Sequence, residues 1–333
     1  MPSPSGPWPP LPAPDEVPPA LIPVEPRRER LGFHLGLLGL TLISTTVVGG
    51  YHYVGYTADF TSLTDLPDGG REFFGSLLSS PSFYLHGLWY SLTVLAILGC
   101  HEMGHYVACL RYGVDVSLPY FLPAPLPLTG TLGAFIRIRS RIPTKVALFD
   151  IGIAGPIAGF LVAVPALFLG LSLSRMVKLP EDPSELMELG EPLLFRFASW
   201  IVWGEVPEGY SINMHPMAFA AWFGLLATAL NLFPVGQLDG GHLAYAVLGR
   251  RSTTVTLLMV VVAIGLTFVS SSWIAWTVLL IVMLVTIGPR HPRTLDDEIP
   301  LDRSRLVLAA IAMVMLVICF TPAPIEPFVT GAP

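Results

Sequence analysis

The chain has 333 residues and a formal net charge of −6, and its composition is 53% apolar and only 13% charged. Soluble domains carry about 25% charged residues, so this composition excludes a soluble globular protein and predicts an integral membrane protein. The length fits one membrane domain. We expect the lipid bilayer to be a partner of the chain and nucleic acid not to be one.

The N-terminal segment is rich in proline. Residues 1–26 contain eleven prolines, a composition typical of polyproline II or disordered chain. We predict a disordered cytosolic tail at 1–31, a membrane domain at 32–323 and a short extracytoplasmic tail at 324–333.

Apolar runs along the rest of the chain predict an all-α polytopic membrane protein with about seven transmembrane helices. The fifth and sixth runs are short and are joined by three serines at 270–272, which allows a tight hairpin or one bent element. The predicted spans lie near residues 32–50, 84–110, 145–172, 216–234, 255–270, 272–288 and 305–322.

The connecting segments predict the orientation of these spans. If the N-terminus is cytosolic, the inside segments hold 14 of the 18 Lys and Arg residues and the outside segments hold four. The positive-inside rule then favours a cytosolic N-terminus and an extracytoplasmic C-terminus. We expect the membrane to be a bacterial inner (cell) membrane.

The second span contains the sequence H-E-M-G-H at residues 101–105. On a helix, residues four apart share a face, so His101 and His105 can bind one zinc ion while Glu102 reaches a water on that metal. Ionisable side chains within a membrane span are costly and usually functional, which favours a metal site over two unrelated histidines.

The segment after the second span is not a simple loop. Residues 118–128 are apolar and proline-rich, and residues 134–139 alternate like a strand. Non-helical backbone at membrane depth is tolerated only where protein or a water-filled cavity shields it. We predict a small β-ribbon at 130–140 beside the metal site, with a surface hairpin of no catalytic role as the alternative.

A catalytic zinc site usually has three protein ligands, so a third ligand must come from elsewhere. Asp239 follows a segment broken by Pro234 and loosened by Gly236, at the depth of His101, and suits that role. Asp150 at the start of the third span is the second candidate, although we expect it to cap the helix instead.

Three motifs together resemble the site-2 protease family of intramembrane zinc metalloproteases: the H-E-M-G-H above, G-P-x-x-G at 155–159, and N-x-x-P-x-x-x-L-D-G at 231–240. The segment 173–215 is too short for the peptide-binding PDZ domain that many bacterial members insert, so the chain resembles a PDZ-less type. The resemblance implies one Zn²⁺ per chain, with these roles: His101, His105 and Asp239 as ligands, Glu102 activating water, and Asn231 holding the substrate carbonyl.

The resemblance also implies that the ribbon receives an unwound substrate as an added strand, with Gly130, Gly133, Phe135 and Ile136 as substrate-binding residues. The expected activity is cleavage of a transmembrane segment of a membrane-tethered protein, with release of a cytosolic fragment. A non-catalytic metal-binding membrane scaffold and a metal transporter are the alternatives. The sequence does not determine the oligomeric state.

Overall fold

The computed structural model describes residues 29–59, 71–180, 186–289, 294 and 300–327. Residues 1–28 of the tail predicted at 1–31 lie outside this part of the chain, as do residues 328–333 of the tail predicted at 324–333. The described chain is mainly helical with three two-stranded sheets. The helices are α1 Leu31–Thr57, α2 Arg71–Ser79, α3 Pro81–Arg111, α4 Lys145–Leu173, α5 Leu193–Trp203, α6 Pro216–Leu232, α7 Asp239–Leu248, α8 Ser252–Leu266, α9 Trp273–Ile287 and α10 Arg303–Cys319. The strands are β1 Tyr120–Pro123, β2 Thr131–Phe135, β3 Arg175–Lys178, β4 Met187–Leu189, β5 Tyr210–Asn213 and β6 Ile325–Pro327.

Helices lie at all seven predicted span positions, but not all of them have the length of a span. Among the described residues, four helical segments are long and apolar enough to cross a membrane: α1, α3, α4 and the segment Asp239–Leu266, which contains α7 and α8. Helices α6, α9 and α10 have 15 to 17 residues. The membrane-protein class is therefore supported, while the count of seven spans stays a prediction.

The fifth and sixth predicted spans are two separate helices. Helix α8 ends at Leu266, α9 begins at Trp273, and the two helices pack against each other. The Thr277 hydroxyl donates to the Ala263 carbonyl across the pair at 3.0 Å. The hairpin alternative is therefore correct for this part of the chain.

The core is built where α3, α4 and α6 meet. Small residues allow these helices to approach closely: a Cβ on Gly104 would overlap the Ala154 carbonyl of α4, and one on Gly170 would overlap Ala218 of α6. Such contacts supply the van der Waals packing that holds membrane helices together in the absence of a hydrophobic driving force. The result is a rigid frame of helices around the middle of α3.

The predicted ribbon exists and reaches deep along α1. Strands β1 and β2 pair antiparallel, and the hairpin contacts α1 at three levels: His34 Nδ1 lies 3.1 Å from the Pro119 carbonyl, Ser44 Oγ 2.7 Å from that of Gly130, and His52 Nε2 2.9 Å from that of Leu128. His34 and His52 are about 27 Å apart along a helix axis, close to the hydrocarbon thickness of a bilayer. The hairpin therefore runs along most of α1, and its re-entrant position in the membrane stays a prediction.

The strand is shorter than the alternation at 134–139 predicted. Strand β2 ends at Phe135, and beyond it only an isolated bridge joins Ile138 to Val116. At the base of the ribbon, Arg139 Nη1 lies 2.6 Å from the Glu29 carboxylate at the start of α1. The Arg139 guanidinium holds the pKa of Glu29 below its usual range, and this ion pair fixes the ribbon to α1.

Candidate active site

Two histidines of α3 and a distant aspartate of α7 meet inside the helical core. His101 Nε2 lies 3.1 Å from His105 Nε2 and 3.2 Å from Asp239 Oδ2, and His105 Nε2 lies 3.3 Å from Asp239 Oδ1. Both histidines are buried. Among the described residues this is the group of His, Cys, Asp and Glu side chains that could hold a metal ion.

The spacing of the potential ligand atoms of His101, His105 and Asp239 fits zinc. A tetrahedral zinc ion has ligand distances of about 2.0–2.1 Å, and the edges of such a tetrahedron are about 3.3–3.4 Å long. The three separations of 3.1 to 3.3 Å lie close to that edge length, with His101 nearest to Oδ2 of Asp239 and His105 nearest to Oδ1. Two imidazoles and a carboxylate are also the ligand chemistry that catalytic zinc takes, with one position left for water.

The tautomer of His105 is set by the neighbouring helix. His105 Nδ1 lies 2.7 Å from the Ile151 carbonyl of α4. Because a carbonyl oxygen only accepts, the proton must sit on Nδ1, which leaves the lone pair of Nε2 free for a metal. This contact was not predicted, since no sequence pattern marks a helix carbonyl as a hydrogen-bond acceptor.

The G-P-x-x-G motif makes room for the histidines. A Cβ on Gly155 would overlap the His105 imidazole at Nε2, and one on Gly159 would come within 3.1 Å of His101 Cβ. The sequence predicted close helix packing here, but the structure adds that the two glycines face the two imidazoles directly. Their spacing of four residues on α4 matches the spacing of the histidines on α3.

Asp239 reaches the site because the chain turns sharply between α6 and α7. It is the first residue of α7, after the irregular segment 233–238 in which Gly236 has a φ of +54°. A Cβ on Gly240 would overlap the Leu232 carbonyl at the end of α6. The glycine of the L-D-G motif therefore allows α7 to start directly against α6.

Glu102 lies beside the metal group without belonging to it. Its side chain is buried, and Oε1 is 4.0 Å from His101 Nε2. The backbone N–H of Ile136, just after β2, faces this carboxylate. A carboxylate at this distance can exchange a proton with a water bound in the open position of the site.

Asn231 is also at the site. Its Nδ2 atom lies 3.3 Å from His101 Nε2, near the end of α6. The amide therefore lies beside the metal group. Whether it holds a substrate stays a prediction.

Asp150 does not join the site, and its expected capping role is wrong. The N-cap of α4 is Thr144, whose side chain accepts from the Ala147 N–H, while Asp150 lies in the second turn of the helix. Arg305 of α10 donates to both carboxylate oxygens of Asp150, from Nε at 2.8 Å and from Nη2 at 2.6 Å. The Tyr112 hydroxyl donates to the same carboxylate. This ion pair between distant helices is what the sequence could not show.

The four predicted substrate-binding residues lie on or next to β2, in different surroundings. Gly130 packs against α1, where a Cβ would approach the Ser44 carbonyl at 2.9 Å, and Gly133 has open space beside it. Phe135 stacks on Tyr120 with ring centroids 5.2 Å apart, and Ile136 packs near Cys109. Gly133, Phe135 and Ile136 are thus the better placed, and substrate contact stays a prediction for all four.

Comparison with known proteins places this geometry in a family. The sequence profile described as Peptidase family M50 matches residues 89–271, more than half of the chain, and this range includes His101, Glu102, His105, Asn231 and Asp239. No solved structure matches the chain.

The curated relatives include plant proteins. The chain is 31% identical over 249 residues to the "Probable zinc metalloprotease EGY2, chloroplastic" of Oryza sativa subsp. indica, which covers 72% of this chain and 44% of the relative. It is 31% identical over 234 residues to the EGY1 protein of the same description from Arabidopsis thaliana, covering 69% and 42%. The chain spans less than half the length of these relatives. Because they are named chloroplastic, they lend no support to the expected bacterial location.

Proposed function

Since the chain belongs to Peptidase family M50, the site-2 protease family, we propose that it is a zinc endopeptidase that cleaves peptide bonds within the membrane. His101, His105 and Asp239 hold the zinc, Glu102 is the general base, and Asn231 stabilises the developing oxyanion. The observation that carries this proposal is the meeting of two imidazole nitrogens and one carboxylate, with ligand atoms within 4.8 Å of one another and the buried Glu102 next to them.

The chemistry can be followed on the side chains of the chain. Bound zinc supplies a Lewis acid and makes a water molecule more acidic. Glu102 accepts a proton from that water while the water oxygen attacks the carbonyl carbon, and then passes the proton to the leaving nitrogen. Asn231 Nδ2 donates to the carbonyl oxygen as negative charge grows on it. A buried glutamate that binds no metal favours hydrolysis over the scaffold and transporter alternatives.

Metal binding tests the ligand set directly. We expect Asp239→Ala to lose most of its zinc, because two imidazoles alone do not make a stable site. Asp150→Asn is the matched control and should keep about one zinc per chain, because Asp150 is engaged with Arg305 and Tyr112. The zinc content of both purified variants is measured by metal analysis, and their activity by cleavage of a model transmembrane substrate. Full zinc content in Asp239→Ala would remove Asp239 from the ligand set.

The ribbon offers an edge for an unwound substrate. The N–H groups of Arg137 and Arg139 point toward residues 115–117, because they donate to Ser117 and Asp115. Since strand residues alternate, the N–H groups of Ala134 and Ile136 point to the other side, and the N–H of Ile136 meets the Glu102 carboxylate there. In the described chain, no third strand pairs with β2. This placement supports binding of the substrate as an extended strand between β2 and Glu102.

We expect Ala134→Pro to lower kcat/KM by about tenfold, because proline removes one outward N–H that would pair with the substrate. Zinc content and thermal stability should stay close to those of the unmodified protein. Leu132, which is 68% exposed, offers a control: Leu132→Thr changes a side chain on the same strand and keeps the backbone N–H. Equal cleavage by Ala134→Pro and Leu132→Thr would mean that the ribbon does not pair with the substrate.

The membrane domain at 32–323 is proposed to have its N-terminus in the cytosol and its C-terminus outside. Two contacts support the placement of the two ends of the chain on opposite sides. The start of α1 meets the ribbon base through Glu29 and Arg139, and β6 near the C-terminus pairs with β4 of the segment predicted to lie outside. The site lies closer to the end of α3 that carries Arg111, the predicted cytosolic end. Cleavage there releases a cytosolic fragment of a membrane-tethered substrate.

A further inference from the structure

Strand β2 has two different faces. Successive residues of a strand point to opposite faces, and Ala134 pairs with Phe121, which is buried in the helical core. The neighbouring pair, Phe135 and Tyr120, therefore lies on the face that points away from this core. Phe135 is 44% exposed although its ring stacks on Tyr120, so much of the ring is free for a further contact.

The Phe135 ring is held in place by a row of rings. The Tyr120 ring on which it stacks lies against the His34 ring of α1, with centroids 4.3 Å apart. His34 is buried, and its Nδ1 atom lies 3.1 Å from the Pro119 carbonyl just before β1. The row thus runs from α1 across β1 to β2 and ends at Phe135. A ring that is already fixed loses little conformational freedom when a ligand packs on it.

A gap lies next to this ring. Gly133 precedes Phe135 by two residues on the same face, and a Cβ built on Gly133 would meet no described atom within 4 Å. Its φ is +105°, a backbone conformation that residues with a side chain rarely adopt, so a side chain at this position would not readily fill the gap. An aromatic ring across from a strand glycine covers the exposed backbone, and aromatic pairs favour centroids about 4.5–7 Å apart. The gap therefore suits an aromatic side chain from an adjacent strand.

The free edge of β2 leads to Glu102. In the described chain, β2 pairs with β1, and β1 lies on the side of α1. The Ile136 N–H that faces Glu102 marks the level at which the proposed reaction cleaves a peptide bond. Gly133 is three residues earlier, about 10 Å along an extended strand. A substrate strand paired with this edge places its third residue from the scissile bond opposite Gly133 and next to the Phe135 ring.

We propose that Gly133 and Phe135 form a specificity subsite for an aromatic side chain of the substrate, three residues from the scissile bond. The subsite rests on the proposed function, because its occupant is the substrate of that reaction. The aromatic residue packs over Gly133 and stacks on the side of the Phe135 ring that faces away from Tyr120. The preferred substrates are therefore membrane segments with Phe, Tyr or Trp at this position.

Cleavage of matched substrates tests the subsite. Model transmembrane substrates carry Phe or Ala at the third residue on either side of the scissile bond and are otherwise identical. We expect kcat/KM to be about fivefold higher for Phe than for Ala on one of the two sides, the usual contribution of one aromatic pair. Phe135→Ala should bring this ratio close to one. Phe135→Leu, which keeps an apolar side chain without a ring, should give an intermediate ratio.

Leu126→Ala is the matched control, because Leu126 is 41% exposed and lies on the same hairpin outside β2. This variant should keep the preference for Phe over Ala. Zinc content and thermal unfolding report on the folding of every variant. A ratio near one in the unmodified protein, or equal ratios in Phe135→Ala and Leu126→Ala, would overturn the proposal, because the Phe135 ring would then contact no substrate side chain.

A binding measurement separates the subsite from the reaction. Glu102→Gln, which should keep zinc and cleave slowly, is mixed with substrates that carry the photoreactive residue p-benzoylphenylalanine at either of the two positions. We expect one of them to crosslink to residues 131–136, and Phe135→Ala to reduce this crosslink several-fold. Crosslinks to other segments alone would overturn the proposal. Crosslinking to β2 without cleavage of any substrate by the unmodified protein would support the subsite and contradict the proposed endopeptidase.

Discussion

Glu102→Gln is expected to keep about one zinc per chain while its turnover falls by about 10²–10⁴-fold. Glutamine preserves the shape of the side chain but cannot accept the proton of the attacking water. The metal should remain, because Glu102 Oε1 is 4.0 Å from His101 Nε2 and is not one of the three converging ligand atoms. The Ile136 N–H that faces Glu102 can interact with the amide oxygen of glutamine as well, so the ribbon should not shift.

The measurement is a cleavage rate under single-turnover conditions alongside metal analysis of the same preparation. His101→Ala is the comparison, because it should lose both zinc and activity and thereby separate a missing base from a missing metal. Cleavage by Glu102→Gln at a near-normal rate would exclude Glu102 as the general base. It would leave the assignment of the metal ligands intact.

Gly155→Ala is expected to reduce both bound zinc and cleavage by more than tenfold, which is unusual for so small a change. A glycine in the middle of a helix normally destabilises it by about 1 kcal/mol relative to alanine, so the substitution should otherwise be favourable. At this position the added Cβ would overlap His105 Nε2, the atom proposed to bind the metal. The imidazole must then rotate away or α3 and α4 must separate, and Gly104 against Ala154 shows how tightly they are packed.

Gly265→Ala provides the matched control, because a Cβ there meets nothing within 4 Å and the residue also lies in a membrane helix, α8. That variant should keep its zinc and activity. Both variants are compared by metal analysis, cleavage and thermal unfolding. If Gly155→Ala binds zinc as well as Gly265→Ala does, the interface of α3 and α4 can adjust at the site, and the motif serves packing alone.

The parts of the site that sequence could predict are those set by local geometry. His101 and His105 share a helix face because of the helical period alone, and the structure keeps that relation. Asp239 lies more than 130 residues further on, and only the irregular backbone after Pro234 and its matching depth indicated it. The structure brings its carboxylate to the two histidines, which no local rule could determine.

Long-range side-chain contacts explain what the sequence missed. A carboxylate near a helix start is usually a cap, but Asp150 is paired with an arginine 155 residues away. Likewise, the alternation at 134–139 indicated a strand without identifying its partner, β1, within a proline-rich stretch. In both cases the deciding contact joins segments that are distant in the chain, and single-sequence patterns carry no information about such pairs.

The last helix, α10, is attached to the rest of the protein at both of its ends. Arg305 joins its first turn to Asp150 of α4, and just beyond its other end the Pro322 carbonyl accepts from the Trp273 indole, while β6 pairs with β4. A helix held in this way cannot move away from the core without breaking contacts at both of its ends. For the proposed cleavage, we therefore expect a substrate helix to reach the metal group between other helices.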